Sequence, residues 1–285
     1  MFAFFRGIMG VAVPAFVFST MLNVGFTQKP STIVGYLRDW RFVLRMLAAN
    51  FLAVPVVMLL ILRITSFDPA VRAGLLVFSL GAGAPFLVKL TQIAEHRVAI
   101  GAAVMTLLML VTIAYMPLVI PLFRRGSSVD AGTIAATLLR QMLLPVVVGM
   151  ATAELVNGFA RAIQPWVAKL SNILLYVVIA STFIGYFPSL ADIVGSGALL
   201  AAIVFVLAAF GLGYAAGRGE DHTEDIGALG TAQRNTAAGL IVAMQDFSDP
   251  NVLVVLTLAN TVGLVLLIFL ARLLSRDNPA DVATV

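Results

Sequence analysis

Apolar residues in this chain fall in continuous runs rather than in alternation, and the runs are about as long as a bilayer is thick. A hydrocarbon core of about 30 Å needs about 20 helical residues at about 1.5 Å of rise each. Nine stretches meet that length: residues 8–27, 43–63, 70–94, 97–123, 131–156, 166–187, 193–216, 224–245 and 250–274. Spanning β-strands would instead alternate apolar and polar side chains over about ten residues. The pattern therefore predicts an all-α integral membrane protein, a helical bundle of nine transmembrane helices. The connections are short, such as the turn at Glu95, His96 and Arg97 and the polar break RRGSSVD at 124–130. Nothing resembles a soluble domain, so residues 1–285 are expected to form a single transmembrane domain.

Composition makes lipid the solvent. Hydrophobic residues fill 61% of the 285 positions and charged residues 11%, against roughly a quarter charged in soluble domains; mean hydropathy is +1.03. The formal charge of +4 does not indicate nucleic acid, because the basic residues are scattered singly between apolar runs. They fit membrane orientation better. One side of the layout receives Lys29, Arg38, Arg41, Arg97, Arg161, Arg218, Arg272 and Arg276, the other Arg6, Arg63, Arg72, Arg124 and Arg125. The richer side is expected to be cytoplasmic, giving a multi-pass protein of the cell membrane with its N-terminus outside and its C-terminus inside. The first segment shows no small-residue cleavage site and is expected to be a retained span. Trp40 and Trp166 fall at predicted span edges, as interfacial anchors do. With no cysteine, disulfides, thiolate metal sites and cysteine nucleophiles are excluded.

Two segments are interrupted. The third carries Gly81, Gly83 and Pro85 at its middle, and the eighth carries Gly227 and Gly230 ahead of Gln233, Arg234 and Asn235. Glycine and proline loosen the helical ladder, and at membrane depth freed backbone must face protein or a wet cavity. Glycines can equally serve close helix packing. Two such segments at matching places in two halves are nevertheless the best sequence pointer to a transporter binding site. Each interrupted segment is followed by one helix and then by a polar break or the chain's end. Segments six to nine then mirror one to four, and the fifth opens the second repeat. The first repeat (about residues 1–125) lacks its opening helix, and the second (about 128–285) is inverted relative to it.

Charge inside the spans names candidate residues. A cation at the bilayer centre costs at least about 2.5–3.5 kcal/mol. Lys89 lies near one end of its segment and can snorkel, whereas Arg234 lies deep in its own. Glu224 is ten positions from Arg234, about 15 Å along a helix and too far to pair, so an anion-binding or ion-replacing role is favoured over a structural ion pair. Thr231, Gln233, Asn235 and Thr236 surround Arg234, and Gln233, Arg234 and Asn235 can share one face only if the helix is unwound there. Asn50, five residues before Pro55, is a further buried amide, either a site residue or an interhelical hydrogen bond.

The stretch GTAQRNTAAGLIVAMQDFSDPNVLVVLTLANTVG resembles the ninth helix and its exit in the bile acid:sodium symporter family. TMLNVGFTQKPSTI resembles the glycine-and-lysine turn after that family's second helix, and GAGAPFLVKLTQIAEHRVAIGAAVMTLLMLVTIAYMPLVIP its fourth and fifth helices. The resemblance runs along nearly the whole chain and fits the family's nine-helix form. It implies two inverted repeats, a panel and a core domain, and two broken helices crossing at the substrate site. It also implies sodium coupling in many members, and here this chain departs from the pattern. The family's sodium-binding Ser-Asn pair falls on Leu87 and Val88, its glutamate on Gly230, the glutamine of its Gln-Asn pair on Arg234, with the asparagine kept as Asn235, and another glutamine on Asn50. Leu87 and Val88 offer no side-chain oxygen to a hard cation. With Lys89 and Arg234 gained, fixed positive charge is expected to replace bound sodium, and no cofactor is expected.

The resulting expectation is a secondary active transporter of a small organic anion, such as a carboxylate or sulfonate, working by alternating access. Its substrate-binding candidates are Lys89, Arg234, Asn235, Gln233, Asn50, Thr231 and Thr236. Proton coupling and facilitated transport are the alternatives to a sodium-free symporter. An efflux permease of the auxin or arsenite type is a further alternative, its arsenite form disfavoured by the lack of cysteine. Catalysis is not expected, since His96 and His222 sit at predicted loop positions and no HExxH motif occurs. A membrane sensor would normally carry a soluble output domain.

Overall fold

The computed structural model describes residues 2–29, 31, 35, 38–123, 131–219 and 223–277. Arg124, Arg125, Glu220, Asp221 and His222 lie outside the described residues, as do the side chains of Arg6 and Arg276. The helices that build the site are α1 (Phe2–Thr27), α2 (Trp40–Ile64), α3 (Pro69–Leu80), α4 (Leu87–Ile93), α5 (Val98–Phe123), α6 (Ala131–Leu155), α7 (Asn157–Gly185), α8 (Phe187–Gly195), α9 (Ala198–Gly217), α10 (Glu224–Ala232), α11 (Thr236–Asp246) and α12 (Asn251–Asp277). Seven of the nine expected segments are continuous helices long and apolar enough to cross a membrane, namely α1, α2, α5, α6, α7, α9 and α12. The third and eighth are each divided, into α3 with α4 and α10 with α11. Among the described residues the only β pairing is one isolated bridge, Ala82 with Arg234.

Local chemistry sets the ends and irregularities. Asp39 caps α2, its Oδ1 accepting from the amides of Arg41 (3.0 Å) and Phe42 (3.1 Å), and its charge suits the positive end of the helix dipole. Pro55 has no N–H, which leaves the Phe51 carbonyl four residues earlier without a helical donor. The Tyr115 hydroxyl donates to that carbonyl at 2.8 Å, and the backbone widens into a π turn over Ala49–Ala53. α6 repeats the device, with a π turn over Leu139–Leu143 ahead of Pro145.

Two boundaries differ from expectation. α7 begins at Asn157, not near 166, because the helix runs past the apolar stretch into polar sequence that hydrophobicity alone does not register. Trp166 consequently stands inside α7 rather than at its edge. The stretch before α9 holds the separate short helix α8, parted from α9 by Ser196 and by Gly197 at φ +85°. That left-handed conformation suits glycine.

α1 lies along α7 and α6, α9 along α10, and α12 against α3 and α9. Glycines bring two of these pairs to backbone contact. A Cβ on Gly25 would lie 2.3 Å from the Val146 oxygen of α6, and one on Gly213 would lie 2.2 Å from the Gly227 oxygen of α10. Small residues at such crossings are how membrane helices approach closely. Met21, Met46, Met58, Met105 and Met109 fill the interior. Val11, Ile64, Leu118 and Leu122 stand exposed on the outside, as a surface solvated by lipid tails requires.

Candidate functional site

The two interruptions meet. α3 ends at Leu80, and Gly81 to Phe86 run without helix before α4; Gln233 to Asn235 separate α10 from α11. The Asn235 amide donates to the Gly81 carbonyl at 3.1 Å, and its Nδ2 to the Gly83 carbonyl at 3.1 Å. Asn235 Oδ1 accepts from the Ala238 amide at 3.2 Å, capping α11. Gly83 takes φ +74° and presses on α5, where a Cβ would sit 2.1 Å from the Met109 nitrogen. Thr112 of α5 satisfies the buried, non-helical backbone at Ala82 twice over. Its hydroxyl accepts from the Ala82 amide and donates to the Ala82 carbonyl, each at 2.9 Å. This settles the freed polar groups that membrane depth would otherwise penalise.

Arg234 occupies the centre of the crossing and is 1% exposed. Its Nη1 donates to Asn50 Oδ1 and to the Thr231 carbonyl, both at 3.0 Å, and its Nη2 to the Ser79 carbonyl at 2.5 Å. Ser79 and Thr231 stand in the last turns of α3 and α10, where carbonyls lack helical donors and carry the negative end of the dipole. Two helix ends and one amide oxygen thus converge on a single cation. Among the described residues no carboxylate is a hydrogen-bond partner of its guanidinium, and Nε has no partner at all. Asn50 is oriented in turn, donating from Nδ2 to Thr231 Oγ1 and to the Met46 carbonyl, both at 3.0 Å.

The structure brings Arg234, Asn50, Thr231, Asn235 and Gln233 together and buries all five. Thr236, half-buried, hydrogen-bonds Asn260 of α12. Lys89 is not part of this cluster and lies on the exposed face of α4. Ser79, Thr112 and Asn260 are the partners that sequence reasoning missed; for Ser79 no signal existed, because it contributes only a backbone carbonyl. Leu87, fully buried, takes up the position that the resemblance assigns to a sodium ligand. A Cβ on Gly230 would meet Leu87 Cδ2 at 3.2 Å, Val104 Cγ1 at 3.3 Å and Met46 Cε at 3.7 Å. Hydrocarbon fills that space, and these residues do not fit a hard cation, which takes oxygen ligands. A cleft of about 380 Å³ has Leu62, Leu76, Leu80, Ile120 and Phe247 in its walls with Arg72 beside them, and no candidate substrate residue lines it.

Residues 14–193, more than half of the chain, match the model of the Sodium Bile acid symporter family. The match takes in α3 and α4 and stops before α10 and α11. No curated protein matches the chain.

Proposed function

The chain belongs to the sodium bile acid symporter family, a family of membrane transporters, and from that premise we propose that it is a secondary carrier of a small organic anion that works by alternating access without sodium. The observation that carries this reading is Arg234 held by the Ser79 and Thr231 carbonyls and Asn50 Oδ1. Two carbonyls and an amide oxygen are ligands a hard cation would take. A guanidinium fixed among them is a tethered cation that never dissociates.

Among the described residues no carboxylate bonds to this charge, so it sets a positive potential at the crossing that favours an anionic cargo. Gln233, Asn235 and Thr236 form the polar surroundings in this reading, with Arg234, Asn50 and Thr231 behind them and Lys89 outside. α3 with α4, and α10 with α11, each complete one crossing, because neither half alone reaches the about 20 residues a bilayer needs. That gives nine crossings in two inverted repeats, with the N-terminus outside. The group of α1, α6 and α7 rocks against the rest. Catalysis is assigned to none of these residues.

Purified protein in proteoliposomes tests this directly. A panel of labelled small carboxylates and sulfonates should show saturable uptake at equal rates with sodium or potassium outside. Uptake that requires a sodium gradient would defeat the sodium-free reading, and no uptake of any organic anion would defeat the carrier itself.

A further inference from the structure

α6 carries an arginine that the crossing does not use. Arg140 lies in the π turn of α6, nine residues from Ala131, or about 13 Å along the axis. It is exposed, and among the described residues no hydrogen bond or ion pair engages it. Thr133, Thr137, Arg140 and Gln141 fall at i, i+4, i+7 and i+8, an arc of about 100° on one face. The strip is turned toward α11, where Thr137 Oγ1 donates to Gln245 Oε1 at 2.8 Å. Gln141 Oε1 is buried with no hydrogen-bond partner. Lipid tails against this strip would meet the exposed Arg140 guanidinium, which alone costs at least about 2.5–3.5 kcal/mol. π turns inside helices frequently mark functional positions.

We infer that this strip lines a wet cleft between α6 and α11, and that Arg140 is the group there that receives the carboxylate or sulfonate of the carried anion. The inference rests on the reading of the chain as an organic-anion carrier. Arg234 spends its Nη groups on protein oxygens. Arg140 keeps its whole donor fork, which matches a carboxylate or sulfonate in bidentate fashion.

A chain without cysteine permits a test that needs no knowledge of the cargo. Gln141→Cys, reconstituted in zwitterionic phospholipid, is treated with an anionic (sulfonatoethyl) and a cationic (trimethylammonioethyl) methanethiosulfonate. Each rate is normalised to that of a free thiol. The anionic reagent should react about tenfold faster than the cationic one, as local positive potential dictates. Adding Arg140→Gln should abolish that preference. Leu139→Cys, exposed one residue away but turned about 100° off the strip, should react with neither. Failure of both reagents at Gln141→Cys, or equal rates, would overturn the inference. Repetition in vesicles containing phosphatidylglycerol separates the two sources of an anionic group: loss of labelling there would give Arg140 to a lipid headgroup and also overturn it. Labelling does not depend on transport, so a reactive, charge-selective strip in a chain that moves no organic anion would refute the carrier reading and the cargo assigned to Arg140, and would leave only the wet, positive cleft standing.

Discussion

The Ser79 carbonyl and the Arg234 guanidinium, 155 residues apart in sequence, lie 2.5 Å apart in space. One belongs to the last turn of α3, the other to the break after α10, so a single side chain ties the two interrupted segments together. Carboxylate partners are unnecessary because helix C-terminal carbonyls supply the negative end. The positive charge is held in place without being cancelled.

Replacing that side chain should therefore cost stability as well as transport. Arg234→Met removes all three hydrogen bonds and strands the Ser79 and Thr231 carbonyls in a dry interior, a loss of roughly 3–5 kcal/mol. Thermal unfolding in detergent should show a fall of many degrees. Arg234→Lys should rescue only part of it, since one ammonium cannot match the planar fork. A native-like melting temperature for Arg234→Met would show that the clasp does not hold the crossing.

Sodium should leave the melting temperature of the native chain where potassium leaves it. The triple variant Leu87→Ser, Gly230→Glu, Arg234→Gln opens the hydrocarbon-filled space, restores a carboxylate and removes the tethered cation. Its melting temperature should rise with sodium concentration, as mass action requires of a specific ligand. Stabilisation of the native chain by sodium over potassium would refute the tethered-cation assignment.

Thr112→Val should destabilise by about 1–3 kcal/mol, because one hydroxyl serves both the amide and the carbonyl of Ala82. Thr112→Ser keeps that hydroxyl and should stay close to native. Equal melting temperatures for the two variants would mean that water or rearranged backbone replaces the hydroxyl.

Gly83→Ala should be the most damaging single-methyl change in the crossing. Its φ of +74° is left-handed and its Cβ would strike the Met109 nitrogen, so backbone must move and the left-handed conformation alone costs about 1–2 kcal/mol. Gel filtration of a fluorescent fusion should show aggregate or loss of the main peak. Gly10→Ala, with open space around it, is the control.

Gly81, Gly83 and Pro85 announced the first interruption where it falls, whereas Gly227 and Gly230, read as loosening the second segment, stand inside α10 and the break comes after them, at Gln233 to Asn235. Which atoms answer Arg234 was not legible. Backbone carbonyls carry no residue identity, so Ser79 was invisible as a partner, and Thr112 reads as one more helix threonine until the fold sets it against Ala82. The early start of α7 was hidden for a different reason. Asn157 to Gln164 form polar helix, and a hydrophobicity window registers burial in lipid rather than helicity. Lys89 was grouped with Arg234 as a second cation beside an interruption, and only the turn of α4 shows that it stands exposed.

Gly25 against α6 and Gly213 against Gly227 place main chain directly on main chain. Surfaces so closely fitted cannot slide past one another without collision, so each of those pairs travels as a welded unit. Whatever shearing the molecule undergoes is thereby confined to seams cushioned by side chains, such as the one where α1 meets α11, and a crosslink placed across that seam would arrest the protein where one across the welds would pass unnoticed.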